Sequence, residues 1–134
     1  MSEFRVQKVT LGLLLFLLLS PSALLAGDAA VTVTQKDRGR EIHLKIGDVL
    51  RIELPARGGT GYSWFMEAIG SPCLKLISQD TREVGERRPG GPLLQVWRFR
   101  AEQAGRRAIK MTYYRPWEGA GQAADHFVII ISIQ

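Results

Sequence analysis

The hydrophobic and polar residues of this chain form short β-rich runs separated by glycine and proline, with no sustained helical period after the N-terminal stretch. The breaks hold turn residues, as at Gly39, Gly47 and Gly105. The runs predict strands over Val31 to Gln35, Glu41 to Ile46, Val49 to Leu54, Tyr62 to Glu67, Leu74 to Thr81, Leu93 to Ala101, Arg106 to Tyr114 and Asp125 to Gln134. Short, closely spaced strands predict an all-β domain and favour an immunoglobulin-like two-sheet β-sandwich, with a small barrel as the alternative.

Alternation within these runs predicts which side chains are buried. Ile109, Met111 and Tyr113 fall on one face of their strand, opposite its polar residues. Trp97 and Phe99 point opposite to Arg98 and Arg100, and Trp97 is predicted to be a core residue. The last strand, Phe127 to Ile133, is nearly all apolar and is therefore expected to be central in its sheet or covered on both faces.

The N-terminal stretch is typical of a signal peptide. Arg5 and Lys8 precede an apolar run from Leu11 to Leu19, and small residues follow as far as Ala26. The run is shorter than the roughly 20 residues that cross a bilayer, which disfavours a membrane anchor. We therefore expect an exported protein, periplasmic or secreted, with residues 1–26 removed, cleavage after Ala29 being the alternative, and residues 27–134 forming one domain.

The composition is that of a globular protein, with 46% hydrophobic and 23% charged residues. The net charge is +5, and the basic residues are scattered rather than gathered into a stripe. This pattern predicts a monomer that binds no nucleic acid and, once the signal peptide is removed, no membrane.

The residues that usually carry chemistry are few. Cys73 is the single cysteine, so no internal disulfide can form, and it is interpreted as a small buried hydrophobe. His43 and His126 lie inside predicted strands without metal-ligand spacing, and the glycines at 58–61 lack the residues of a phosphate loop. With no nucleophile and base in view, we expect a protein that is not an enzyme and uses no metal or cofactor.

Three loops rich in glycine, proline and aromatic residues remain, at Arg57 to Gly61, Pro89 to Pro92 and Arg115 to Ala124. Loops of this kind on a strand scaffold usually bind a partner. In an immunoglobulin-like sandwich, the first of these joins the second and third strands and the last joins the final two, so both are expected at one end.

The sequences of these loops resemble the chagasin family of cysteine-protease inhibitors over essentially the whole mature chain. The motifs are Arg57-Gly58-Gly59-Thr60-Gly61-Tyr62-Ser63-Trp64, Arg88-Pro89-Gly90-Gly91 and Arg115-Pro116-Trp117. The family pattern has Asn-Pro-Thr where this chain has Arg57-Gly58-Gly59, and glycine at the position of Arg88. The family's threonine hydroxyl nearest the catalytic centre is therefore missing at Gly59.

The resemblance implies an immunoglobulin-like inhibitor that blocks the cleft of papain-like cysteine proteases reversibly, with the protease as its partner. The first loop would cover the catalytic cysteine, the second would follow the non-primed subsites, and the third would cover the primed side with Trp117 stacking on an enzyme aromatic. The protease-binding residues so implied are Gly59, Thr60, Gly61, Tyr62, Pro89, Gly90, Gly91, Arg115, Pro116 and Trp117.

A different class of function stays open at this point. An exported immunoglobulin-like module could bind carbohydrate or an envelope component through an aromatic platform of Trp117, Tyr113 and Tyr114.

Overall fold

Strands make up most of the described chain, which comprises residues 29–67 and 72–134 of a computed structural model. They are β1 Ala30–Thr34, β2 Glu41–Leu44, β3 Val49–Arg57, β4 Ser63–Met66, β5 Leu74–Glu83, β6 Pro92–Ala101, β7 Gly105–Tyr114 and β8 Asp125–Ile133. Two short 3₁₀ turns, Gln35–Asp37 and Ala120–Gln122, are the helical elements of this part of the chain, and it contains no helix long and apolar enough to span a bilayer. The predicted signal peptide, residues 1–26, lies outside the described residues.

The strands form two four-stranded sheets. Sheet A has the order β1-β3-β6-β5 and sheet B the order β2-β8-β7-β4. All pairings are antiparallel except β1 with β3 and β2 with β8, which are parallel edge pairs. The prediction of an all-β, two-sheet sandwich is confirmed.

Each predicted strand is present, but β3 and β5 are longer than predicted. Both extend along β6: Arg57 of β3 lies opposite Pro92, and Glu83 of β5 lies opposite Leu93. The extra residues are polar or small and carry no strand signal of their own. Pairing with the central strand β6 supplies the hydrogen bonds that keep them extended.

The core lies between the inward faces of the two sheets. Its largest fully buried side chains are Trp64, Trp97, Phe99, Phe127, Leu50, Ile52, Leu54, Ile109, Met111, Ile129, Ile131 and Val33. Trp97, Ile109 and Met111 are buried as predicted, and Tyr113 lies half-buried on the same face. The last strand is central, as expected, but only its inward face is covered, since Val128 on the other face is 36% exposed.

A buried glutamine fixes the start of β4 against the opposite sheet. The side-chain Oε1 of Gln95 accepts a hydrogen bond from the backbone N–H of Trp64 at 2.8 Å, and its Nε2 donates to Ser63 Oγ at 3.0 Å. The indole Nε1 of Trp64 donates to the carbonyl of Pro55 at 2.9 Å. A buried polar side chain with both ends satisfied holds a unique geometry. Both flanks of the loop between β3 and β4 are therefore anchored.

The cysteine and the two histidines occupy the environments expected of them. Cys73 is buried, its Sγ lies 3.6 Å from the carbonyl of Ala104, and a β-carbon at Gly105 would come within 2.7 Å of that sulfur. His43 and His126 are exposed residues of β2 and β8. Across residues 29–67 and 72–134, no group of three or more His, Cys, Asp or Glu side chains is placed to hold a metal ion.

Candidate functional site

The three loops singled out in the sequence lie together at one end of the sandwich, here called the three-loop end. The first loop (residues 58–62) joins β3 to β4, the second (84–91) joins β5 to β6, and the third (115–124) joins β7 to β8. Gly58 N–H donates to the carbonyl of Gly91 at 3.1 Å, and Arg115 Nε donates to the carbonyl of Thr60 at 2.9 Å. The first loop therefore touches both of the others, and the expectation that the first and third share an end is confirmed.

The first loop is a tight turn held by its own polar groups. The hydroxyl of Thr60 donates to the carbonyl of Arg57 at 2.8 Å and lies 3.3 Å from the backbone N–H of Tyr62. Gly59 and Gly61 have φ of 73° and 76°, in the left-handed region that side chains with a β-carbon rarely adopt. The glycines are required for this turn, so the loop is not an extended, substrate-like segment.

The first and second loops meet backbone to backbone. A β-carbon at Gly58 would lie 2.9 Å from the carbonyl oxygen of Gly91, and one at Gly59 would lie 3.4 Å from Cα of Gly90. Together with Gly61, these glycines form a ridge without side chains, here called the glycine ridge (Gly58, Gly59, Gly61, Gly90 and Gly91). Such a surface lets another molecule approach the main chain closely.

The tip of the second loop is a type II turn. Gly91 N–H donates to the carbonyl of Arg88 at 3.1 Å, with Pro89 at the second position and Gly90 at the third with φ of 69°. Val84 N–H donates to the carbonyl of Pro92 and closes the hairpin. The turn chemistry of the sequence therefore sets the shape of this tip.

Trp117 in the third loop is exposed, and its ring packs against the first loop. The indole is 71% exposed, and a β-carbon placed on Gly61 would come within 2.0 Å of its Cη2 atom. The ring therefore lies directly against the backbone of the first loop, where only glycine leaves room. Trp117 is therefore a surface residue and not part of the hydrophobic core.

Arg115 clamps the third loop onto the first. In addition to its bond to Thr60, its Nη1 donates to Glu118 Oε1 at 2.9 Å, and its guanidinium lies 4.4 Å from the ring centre of Tyr62. The hydrogen bond to Glu118 raises the pKa of Arg115 above its already high ordinary value. Arg115 thus pairs with one carbonyl and one carboxylate of its own chain.

An aromatic column connects the loops to the core. Tyr62 stacks on Tyr113 with ring centres 5.3 Å apart, and Tyr113 in turn contacts Trp64 at 5.0 Å. The hydroxyl of Tyr113 accepts a hydrogen bond from Arg57 N–H at 3.1 Å. Two half-buried tyrosines thus connect the first loop to the buried Trp64.

All ten predicted binding residues lie in the three-loop end, from Gly59 to Tyr62, Pro89 to Gly91 and Arg115 to Trp117. Sequence reasoning missed the contribution of Gly58, Tyr113 and Glu118 to this end. The spacing of Glu118, three residues after Arg115, is a local signal for such a pair. The contacts of Gly58 and of the Tyr113 hydroxyl are long-range and leave no local signal.

The aromatic platform of the alternative interpretation is not formed. Tyr113 faces inward to Tyr62 and Trp64, whereas Tyr114 faces outward and contacts Phe65 with ring centres 4.6 Å apart. Neighbouring residues of a strand point to opposite faces, so these two tyrosines cannot share one surface with Trp117.

Comparison with known proteins gives a family match and several relatives. The family model described as chagasin family peptidase inhibitor I42 matches residues 43–131. Chagasin from Trypanosoma cruzi is 27% identical over 104 residues, which cover 74% of this chain and 94% of that protein. Amoebiasin-2 from Entamoeba histolytica is 30% identical over 90 residues, which cover 64% of this chain and 71% of that protein.

Solved structures share the fold. The cysteine protease inhibitor EhICP2 from Entamoeba histolytica superposes with a TM-score of 0.72 at 22% identity, covering 79% of this chain and 96% of that one. PbICP-C, solved in complex with falcipain-2, superposes with a TM-score of 0.52 at 20% identity, covering 79% of this chain and 99% of that one.

Proposed function

The chain belongs to the chagasin family of peptidase inhibitors, and from this premise we propose that it inhibits papain-like cysteine proteases by inserting its three-loop end into the active-site cleft. The observation that carries the proposal is the glycine ridge, with the exposed Trp117 fixed at its side. EhICP2 is a cysteine protease inhibitor, and PbICP-C was solved in complex with falcipain-2. A surface without side chains lets the walls of a cleft come close to the main chain.

The first loop is suited to cover the catalytic cysteine without being cleaved. A protease hydrolyses a peptide bond that lies extended in its cleft with the carbonyl free to enter the oxyanion hole. The left-handed φ values of Gly59 and Gly61 prevent an extended backbone, and the carbonyl of Thr60 already accepts a hydrogen bond from Arg115. The loop fills the site but offers no attackable bond.

The other two loops occupy the cleft on either side of the catalytic centre. Pro89, Gly90 and Gly91 form an exposed turn whose main chain is accessible, which suits backbone hydrogen bonding along the non-primed subsites. Trp117 offers a large rigid aromatic surface to the primed side. The first loop contacts both the second and the third loop. These contacts set the distance between the turn at Pro89 to Gly91 and Trp117.

We also propose that the protein acts after export, in the periplasm or outside the cell. The support is the sequence of residues 1–26, where two basic residues precede an apolar run and small residues. Mass spectrometry of the exported protein should give an N-terminus at Gly27 or Ala30. Recovery of exported protein that retains Met1 would contradict the proposal.

Steady-state kinetics with papain test the inhibitory function. The chain from residue 27 should inhibit hydrolysis of a small fluorogenic peptide competitively and reversibly, titrating the enzyme one to one. A trypsin-like serine protease serves as the specificity control and should be unaffected. Full papain activity at a large excess of folded inhibitor would overturn the proposal.

A further inference from the structure

Four arginines belong to the segments that build the three-loop end, and two of them have an acidic partner in their own chain. Arg87 Nε lies 3.3 Å from Glu83 Oε2, and Arg115 Nη1 lies 2.9 Å from Glu118 Oε1. A guanidinium that already faces a carboxylate keeps that partner when another protein binds beside it. These two arginines therefore need no acidic group from a bound protein.

The other two arginines, Arg57 and Arg88, have no such partner. Arg57 is the last residue of β3, Arg88 is the first residue of the turn at the tip of the second loop, and both are exposed. Within residues 29–67 and 72–134, neither guanidinium forms a hydrogen bond or an ion pair. Glu86, the remaining charged residue of the second loop, is exposed and pairs with neither arginine in this part of the chain. Two uncompensated cations therefore stand against one carboxylate.

Both of these arginines lie at the junction of the first and second loops. A β-carbon placed on Gly91 would lie 3.0 Å from Cγ of Arg88 and 3.6 Å from its Nε, so the Arg88 side chain folds back over the main chain of Gly91. The carbonyl of Gly91 accepts the hydrogen bond from Gly58 N–H, and Gly58 follows Arg57 directly in sequence. The two cations thus flank the glycine ridge at the point where the two loops meet.

Insertion of the glycine ridge into a protease cleft would bring Arg57 and Arg88 against the walls of that cleft, where they lose part of their hydration. A charge that loses water without gaining a partner weakens binding, whereas a charge-assisted hydrogen bond to a carboxylate offsets this cost. The two arginines therefore disfavour a cleft with apolar or basic walls and favour one with an acidic wall. Such a difference in affinity is what gives an interface its specificity.

We propose that Arg57 and Arg88 bind a carboxylate in the S2 subsite of the target protease, so that the inhibitor selects papain-like enzymes with an acidic S2 subsite. This inference rests on the proposed function, in which the first loop covers the catalytic cysteine and fills the adjoining S1 position. Gly91, on which Arg88 lies, is bonded to the first loop as a neighbouring strand would be. The spacing of neighbouring strands is about 4.8 Å, which places the guanidinium one subsite further along the non-primed side.

Two papain-like enzymes that differ in this subsite provide the test. One hydrolyses a fluorogenic peptide with arginine at P2 and so has an acidic S2 subsite, and the other requires leucine or phenylalanine there. The double variant Arg57→Gln with Arg88→Gln should raise the inhibition constant about tenfold for the first enzyme and less than twofold for the second.

The matched control is Arg87→Gln with Arg106→Gln, which removes the same charge from two arginines that already have acidic partners in the chain. It should change neither inhibition constant by more than twofold. The variant of Arg57 and Arg88 should melt at the temperature of the parent, because neither side chain has a hydrogen bond or ion pair to lose within the described residues. Its effect on inhibition is then an effect on binding and not on folding.

Three results would overturn the inference. Equal weakening by both double variants would show a general attraction between charges and not a contact at S2. Unchanged inhibition of both enzymes by the Arg57 and Arg88 variant, or the same weakening for both, would remove the S2 preference and leave the inhibition of papain-like proteases standing. If the folded parent inhibits neither enzyme, the proposed function is wrong and this inference fails with it.

Discussion

Trp117 is exposed because its loop lies beyond the ends of both sheets, where the backbone of Gly61 is the surface that it covers. We expect Trp117→Ala to weaken papain inhibition by roughly 2 to 4 kcal/mol, about thirtyfold to a thousandfold in the inhibition constant, with the melting temperature nearly unchanged. The matched contrast is Trp64→Ala, which truncates a buried indole and should cost about 3 to 5 kcal/mol of unfolding free energy. If Trp117→Ala inhibits papain as strongly as the parent does, the proposed role of the third loop in protease binding is wrong.

Alanine substitutions at Gly61 and Gly119 separate two effects, the loss of space beneath the Trp117 indole and the strain of the backbone. Both have left-handed φ, 76° and 81°, but a β-carbon would meet the indole at Gly61 and nothing within 4 Å at Gly119. Alanine strains the backbone at either position, by about 1 to 3 kcal/mol, and Gly119, with ψ of 161°, lies in a region that is essentially restricted to glycine. Only Gly61→Ala should also displace Trp117, so the inhibition constant should rise for this variant and not for Gly119→Ala. An equal effect of the two substitutions on the inhibition constant would show that the position of Trp117 does not depend on Gly61.

Sequence alone predicted which residues the three loops contain but not the contacts between those residues. The turn at Pro89 and Gly90 follows from local chemistry, and so does the need for glycine in the first loop. The packing of Trp117 on Gly61 joins positions 56 residues apart and leaves no local trace. The family's threonine is absent at Gly59, and its φ of 73° shows that a threonine there would be strained.

At the scale of elements, the loops between β3 and β4 and between β7 and β8 behave as one unit because Arg115 bridges them. Lysine keeps the charge but has no planar fork, so Arg115→Lys cannot bind Thr60 and Glu118 while covering Tyr62. We expect the inhibition constant for papain to rise about tenfold.

The control for this variant is Arg40→Lys, which changes an exposed arginine paired with Asp37 far from the loops in sequence and should leave inhibition intact. Thermal unfolding of both variants should remain close to that of the parent. Equal inhibition by the Arg115 and Arg40 variants would mean that the clamp does not position the loops.

The alternation of apolar and polar residues predicts where strands occur, but it does not predict how long they are. The ends of β3 and β5 are set by pairing with β6, and that pairing joins distant parts of the sequence. The last strand shows that an apolar composition alone does not predict burial, because Val128 is apolar but points outward and is exposed. The two-residue period of a strand places Tyr113 and Tyr114 on opposite faces, and this is predictable from the sequence alone.

At the scale of the whole molecule, Arg38 and Asp125 tie the turn after β1 to the start of β8. Two bonds of 2.7 and 2.9 Å join guanidinium and carboxylate, and the hydrogen bonding from Arg38 lowers the pKa of Asp125 below its ordinary value. A carboxyl whose pKa is depressed by folding stabilises the folded state above its unfolded pKa, about 4, and loses this contribution as the pH falls through its folded pKa.

Asp125→Asn should therefore lower the unfolding free energy at neutral pH by about 1 kcal/mol, a value kept small because the pair is partly exposed. The difference from the parent should shrink as the pH falls below about 4 and vanish once Asp125 is protonated in both states. Urea unfolding across this range measures it. A difference that is the same at every pH would show that the charge of Asp125 plays no part.

The central claim is that the three-loop end covers the catalytic cysteine of a papain-like protease. The most direct measurement is the rate at which iodoacetamide alkylates that cysteine in papain, followed by the mass of the enzyme so that Cys73 of the inhibitor does not interfere. When the inhibitor is saturating, the alkylation rate should fall in proportion to the fraction of papain that remains free. The Trp117→Ala variant at the same inhibitor concentration should restore alkylation. Alkylation at the rate of free papain, with the inhibitor demonstrably bound, would contradict the account.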